Sequence, residues 1–76
     1  MKALLEDIAR GLVDKPEAVS VEERAGDGGT ILVLNVAKED RGRLIGRQGR
    51  TLRAMRAFVR AVAERSGRNM SLDMMR

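Results

Sequence analysis

The chain has 76 residues and a net charge of +4, with no Cys, no His, no Trp, no Tyr and a single aromatic residue, Phe58. That length supports one domain with a modest core of Leu, Ile, Val, Ala and Met. Without Cys there is no disulfide or thiolate metal site, and without His the commonest general base and metal ligand are missing.

Residues 2–13 read as an amphipathic helix, with Leu4, Leu5, Ile8, Ala9, Leu12 and Val13 recurring on one face. The pattern stops at Asp14-Lys15-Pro16, because proline restricts its predecessor and cannot donate to a helix. Residues 18–25 read as a strand of moderate strength, with Val19 and Val21 alternating with Ser20 and Glu22. Ala25-Gly26-Asp27-Gly28-Gly29 then forms a turn. Residues 30–37 are the strongest strand; they are β-branched and mostly apolar on both faces, which predicts a central place in the sheet. The two strands form a hairpin.

A short helix is expected from Glu39-Asp40 to about Leu44, its acidic start suiting the helix dipole. After a glycine pair, a long helix runs from about Arg50 to Ser66 and is capped by Gly67. Residues 69–75 give a last strand, with Met70, Leu72 and Met74 alternating with Ser71 and Asp73. The order is helix–strand–strand–helix–helix–strand. Helices this small cannot cover both faces of a sheet, so an α+β two-layer domain is predicted, a three-stranded sheet with its helices on one face.

Charge is segregated along this order. Residues 1–40 sum to −4, residues 41–68 to +8, and in the second stretch every base is Arg. A guanidinium is a planar fork that matches phosphate oxygens.

The segment Leu44-Ile45-Gly46-Arg47-Gln48-Gly49-Arg50-Thr51-Leu52 resembles the signature of KH domains: two aliphatics, Gly-x-x-Gly, then an aliphatic three residues on. The element order is similar to the type II KH arrangement. Length, the position of Pro16 and the basic loop resemble the small stand-alone bacterial KH proteins of the KhpA type. The resemblance spans residues 1–76 as a single KH domain.

It implies a non-catalytic module whose loop clamps about four nucleotides of single-stranded RNA. A Cβ at Gly46 or Gly49 would hold a phosphodiester backbone away from the main chain. The loop also leads into a helix N-terminus, whose free N–H groups favour an anion. Arg47 supplies charge and Gln48 hydrogen-bonding groups, while Arg43, Arg50 and Arg53 extend the phosphate contacts. Ile45 and Leu44 are candidates for the wall of an apolar groove for bases, with at least one of them expected in the core instead. Arg56 and Arg60 continue the basic flank, as phosphate contacts or as solvated surface. The scarcity of aromatics argues against a stacking platform.

Family resemblance also implies an RNA chaperone or post-transcriptional regulator that pairs with itself or with a larger KH-containing partner of the KhpB (Jag) type. Ala54, Phe58 and Ala61 are candidates for that interface, Phe58 as an anchor among small side chains, the alternative being that Phe58 completes the core. A protein-interaction subunit with secondary RNA binding, and a single-stranded DNA binder, are the alternative readings. No Gly-Lys-Ser/Thr phosphate loop is present, and no enzyme, metal, cofactor or small-molecule substrate is expected. With no apolar leader or bilayer-length run and no Cys, no membrane partner is expected and a cytoplasmic location is.

Overall fold

The computed structural model describes residues 1–75. Its elements are α1 (Lys2–Arg10), β1 (Ser20–Gly26), β2 (Gly29–Asn35), α2 (Arg41–Ile45), α3 (Arg50–Ser66) and β3 (Met70–Met74). Short 3-10 turns at Pro16–Ala18, Lys38–Asp40 and Arg47–Gly49 join them. The expected order is present, and β2 is the central strand of a three-stranded sheet. It pairs antiparallel with β1, as in Val21 opposite Leu34, and parallel with β3, as in Leu32 opposite Leu72. The sheet is therefore mixed, because the α2–α3 excursion returns the chain to run alongside β2.

Strand alternation sends Val21, Leu32, Leu34, Leu72 and Met74 to one face. There they meet Leu5 and Ala9 of α1, Leu44 of α2, and Met55 and Val59 of α3 in one core. Truncating a fully buried leucine in such a core typically costs about 2–5 kcal/mol. The helices lie on this face only. The other face carries Glu22 and Arg24, Ile31 and Val33, and Ser71 and Asp73.

Two expected boundaries move. α1 ends at Arg10 rather than at residue 13, since Gly11 is a poor helix former; its amide closes the last turn on the Asp7 carbonyl, and the Leu12 amide donates to that of Ala9. Leu12, assigned to the apolar face by periodicity, is exposed. The short helix begins at Arg41, and Glu39 and Asp40 lie in the 3-10 turn before it.

Asp40 is not simply a dipole-matching acid. Its carboxylate is 1% exposed and makes no cap of its own helix. It accepts the Asp14 amide at Oδ1 and the Lys15 amide at Oδ2, each at 3.1 Å. Two main-chain donors of the α1–β1 connection are thereby satisfied inside the protein, which a buried carboxylate requires. Lys15 reinforces the tether by pairing with Glu39. Their hydrogen bond holds the Glu39 carboxyl below its ordinary range and raises the Lys15 ammonium above its own.

Among the described residues, no helix is long and apolar enough to cross a membrane.

Candidate nucleic-acid interface

The glycine motif sits between α2 and α3, and its two glycines do different things. Gly46 ends α2 with φ 76° and ψ 174°. A Cβ built there would lie 2.4 Å from Thr51 Oγ1 and 3.0 Å from the Thr51 backbone nitrogen. This glycine is thus required by the approach of α3 to its own loop, whatever binds outside. Gly49 has φ 75° and ψ 14°, and a Cβ there would meet nothing within 4 Å. Space beyond Gly49 is open to a ligand. Gln48, between them, is the one non-glycine residue with positive φ among the described residues, at 57°.

Gly49 is the N-cap of α3, and no side chain accepts from the first-turn amides. The Arg50 amide donates to the Arg47 carbonyl of the loop, and the positive end of the 17-residue helix lies at the loop. Arg47, Gln48, Arg50 and Arg53 are all exposed around it. Among the described residues no carboxylate pairs with Arg47, Arg50 or Arg53. Arg43 differs: its Nη2 lies 2.9 Å from Asp14 Oδ2 and its Nε 3.8 Å from Asp40 Oδ1. Its guanidinium is already engaged in holding the α1–β1 connection.

The aliphatic pair before the loop divides as its geometry demands. Leu44 is fully buried in the core, whereas Ile45 is 39% exposed. Ile45 lines a groove of about 140 Å³ that runs between α2, α3 and the edge of β3. Leu52 and Met74 share the apolar part of the wall; Arg41, Arg56 and Asp73 supply its polar part. A smaller cleft of about 80 Å³ adjoins it through Arg56 and is lined also by Arg60 and Ser71.

Sequence reasoning missed Arg41 and Asp73, and left Arg56 between two roles. Arg56 Nε donates to the Leu72 carbonyl at 3.2 Å, and its Nη2 lies 3.6 Å from Asp73 Oδ1. It is held at the strand edge rather than free in solvent. The signal available beforehand was a lone acid in the last strand with an Arg on the helix preceding it. For Arg41 there was no signal.

The chain matches the family model described as "KhpA/KhpB, KH domain" over residues 2–74. It belongs to the KhpA/KhpB family of KH domains. Family members similar to it include the RNA-binding protein KhpA of Clostridium perfringens, 45% identical over 96% of this chain and 97% of the relative. KhpA of Chlamydia trachomatis is 44% identical over 99% of this chain and 96% of its own length. KhpA of Caldanaerobacter subterraneus is 48% identical over 83% and 84%. No solved structure gives a significant match. The α+β fold, a three-stranded sheet with its helices on one face, is consistent with the KH-type domain that the sequence resemblance implied.

Proposed function

We propose that residues 1–76 form a single, non-catalytic KH domain of type II order that grips single-stranded RNA. Gly46, Arg47, Gln48 and Gly49 hold the sugar-phosphate backbone, Arg50 and Arg53 add phosphate contacts, and Ile45 begins the groove that receives bases. The observation that carries this reading is a juxtaposition. A helix start without a side-chain cap, with three arginines free of carboxylates among the described residues, is flanked by Ile45 and Leu52, which line an apolar-walled groove. A phosphate needs the first and a base needs the second. Arg43 contributes less, since Asp14 and Asp40 compete for its guanidinium. A role as RNA chaperone or post-transcriptional regulator in the cytoplasm accords with a small module of short sequence preference. The names of the similar KhpA proteins, RNA-binding proteins, support RNA over single-stranded DNA.

The test is a double variant, Arg47→Asp with Gln48→Asp, titrated against short single-stranded RNA and its DNA counterpart. Both side chains are exposed, so melting should be preserved. Loss of one charge-assisted phosphate contact is worth at least about tenfold in affinity. Unchanged affinity in the folded variant removes the loop from the interface. Equal binding of the DNA counterpart removes the preference for RNA.

A second reading concerns assembly, and a specific observation favours it. Phe58 is 39% exposed and does not complete the core; Ala54 and Ala61 beside it on α3 are exposed as well. This face suits a second helix, from a copy of the chain or from a KhpB/Jag-like KH partner. Two loops on one particle would raise avidity for a longer RNA.

A further inference from the structure

Asp73 is an acid in a groove that otherwise carries positive charge. Among the residues lining that groove it is the sole carboxylate, beside Arg41 and Arg56. Its side chain is 62% exposed, so core packing does not account for it. A phosphate path does not account for it either, since a carboxylate repels phosphate.

Its position on the strand is informative. The Met75 amide donates to the Leu34 carbonyl, and the Asn69 carbonyl accepts the Thr30 amide. These odd-numbered residues turn their backbone groups to β2. Alternation therefore turns those of Leu72 and Met74 to the open edge that borders the groove. Two of these edge groups are already occupied by side chains. Arg56 Nε donates to the Leu72 carbonyl, and Asp73 Oδ1 accepts the Met74 amide at 2.8 Å. A neutral serine or asparagine could accept that amide equally well, so the charge of Asp73 serves its pairing with Arg56 and not the strand edge. Oδ2 has no hydrogen-bond partner among the described residues. Arg56 spends Nε on the strand and keeps its Nη groups for the groove; at 3.6 Å from Asp73, Nη2 is adjacent without being locked. In the same groove the Nε of Arg41 is buried with no partner, a donor awaiting an acceptor.

The groove thus presents a carboxylate beside strong donors, with Oδ2 unengaged and Oδ1 shared with the Met74 amide, over the apolar wall of Ile45, Leu52 and Met74. Guanine carries the complementary edge. Its N1–H and N2–H₂ are adjacent donors for one carboxylate, and its O6 is an acceptor for a guanidinium. Adenine and cytosine offer a carboxylate only one amino group, and uracil only one N–H. Resting on the RNA-binding reading above, we propose that Asp73 and Arg56 form a base-reading pair that selects guanine at one position of the bound strand.

The experiment uses the full chain and labelled pentauridine, with the central base also replaced by guanine, adenine or cytosine, followed by fluorescence anisotropy. The central guanine should bind at least about tenfold tighter than each of the other three, the scale of one bidentate base contact. In Asp73→Asn the guanine-to-uracil affinity ratio should fall to within about threefold of one, because one acceptor is replaced by a donor. Arg56→Gln should lower the same ratio, and decides the matter if Asp73→Asn does not fold by circular dichroism. Wild-type protein that binds all four oligomers equally overturns the base reader and leaves RNA binding standing. A guanine preference that survives in both variants overturns the assignment to this pair. Failure of the wild type to bind any oligomer overturns the RNA-binding reading and this inference with it.

Discussion

Replacing Gly46 and Gly49 one at a time by alanine should separate a glycine the fold needs from one the ligand needs. At Gly46 the backbone, φ 76° and ψ 174°, lies in a region that is nearly glycine-only. Holding another residue there costs about 1–3 kcal/mol. The new methyl would also sit 2.9 Å from Thr51 Cβ and 3.0 Å from Thr51 N. Thr51 Oγ1 can rotate away, but the backbone nitrogen cannot without moving α3, and such overpacking adds about 1–3 kcal/mol. A domain of this size has about 4–11 kcal/mol of stability in all. Gly46→Ala should therefore lose at least about 2 kcal/mol, or roughly 10 °C in Tm. At Gly49 nothing lies within 4 Å, so only the left-handed backbone counts, at about 1–2 kcal/mol. The lower unfolded-state entropy of alanine offsets part of that, leaving about 1 kcal/mol. Urea denaturation with linear extrapolation measures both. RNA titration of Gly49→Ala should show weakened binding in a folded protein. Equal destabilisation by the two substitutions, or a Gly46→Ala protein as stable as wild type, would refute the division of roles.

Asp40→Ala leaves the Asp14 and Lys15 amides without their acceptor and should cost about 2–5 kcal/mol, with Asp40→Asn near half of that; a change under about 0.5 kcal/mol in urea denaturation contradicts the tether. With two to four phosphate contacts, log affinity should fall with log salt at a slope of roughly −1.4 to −2.8. Arg53→Ala should make that slope shallower by about 0.7, and Arg43→Ala by less, because its carboxylate partners already neutralise it; a flat salt response removes the arginines from the interface. Phe58→Asp should give a folded monomer with weaker binding to long RNA. Analytical ultracentrifugation decides between outcomes: a wild type that stays monomeric at tens of micromolar, on the scale at which a weak interface should assemble, sinks self-association.

What the sequence made legible follows from how local each cause is. The bounds of α3 were readable because glycines in the left-handed region, Gly49 and Gly67, stand at its two ends. Strand β2 was readable as central because Leu32, Val33 and Leu34 are all buried, on both faces of the sheet. The end of α1 was misplaced because apolar periodicity continued to Leu12 and Val13 past Gly11, and periodicity is not burial. For the site, the loop was legible because its glycines, charge and flanking aliphatics are contiguous. Which of Leu44 and Ile45 faces the core was not, since that depends on how α2 lies on the sheet. Asp40 looked like a helix-start acid, and its true partners are 25 and 26 residues away. The Arg56 contact with Leu72 spans 16 residues and a change of element. Such contacts exist only once α3 has docked.

The parallel pairing of β2 with β3 also sets an order on folding. Leu32 meets Leu72 across 40 positions of chain, and no contact between neighbours in sequence can substitute for that closure. The hairpin and α3 can form locally and early. Groove and core close together, because the same strand supplies Leu72 to one and Asp73 to the other. During synthesis this domain therefore has no partially competent form: the loop is made long before the last strand arrives, but the surface against which it would hold a nucleic acid is not. A kinetic trap that delays β3 should expose the apolar face of the hairpin and the loop arginines at once, and that unfinished chain is the species most prone to stick to nucleic acid without discrimination.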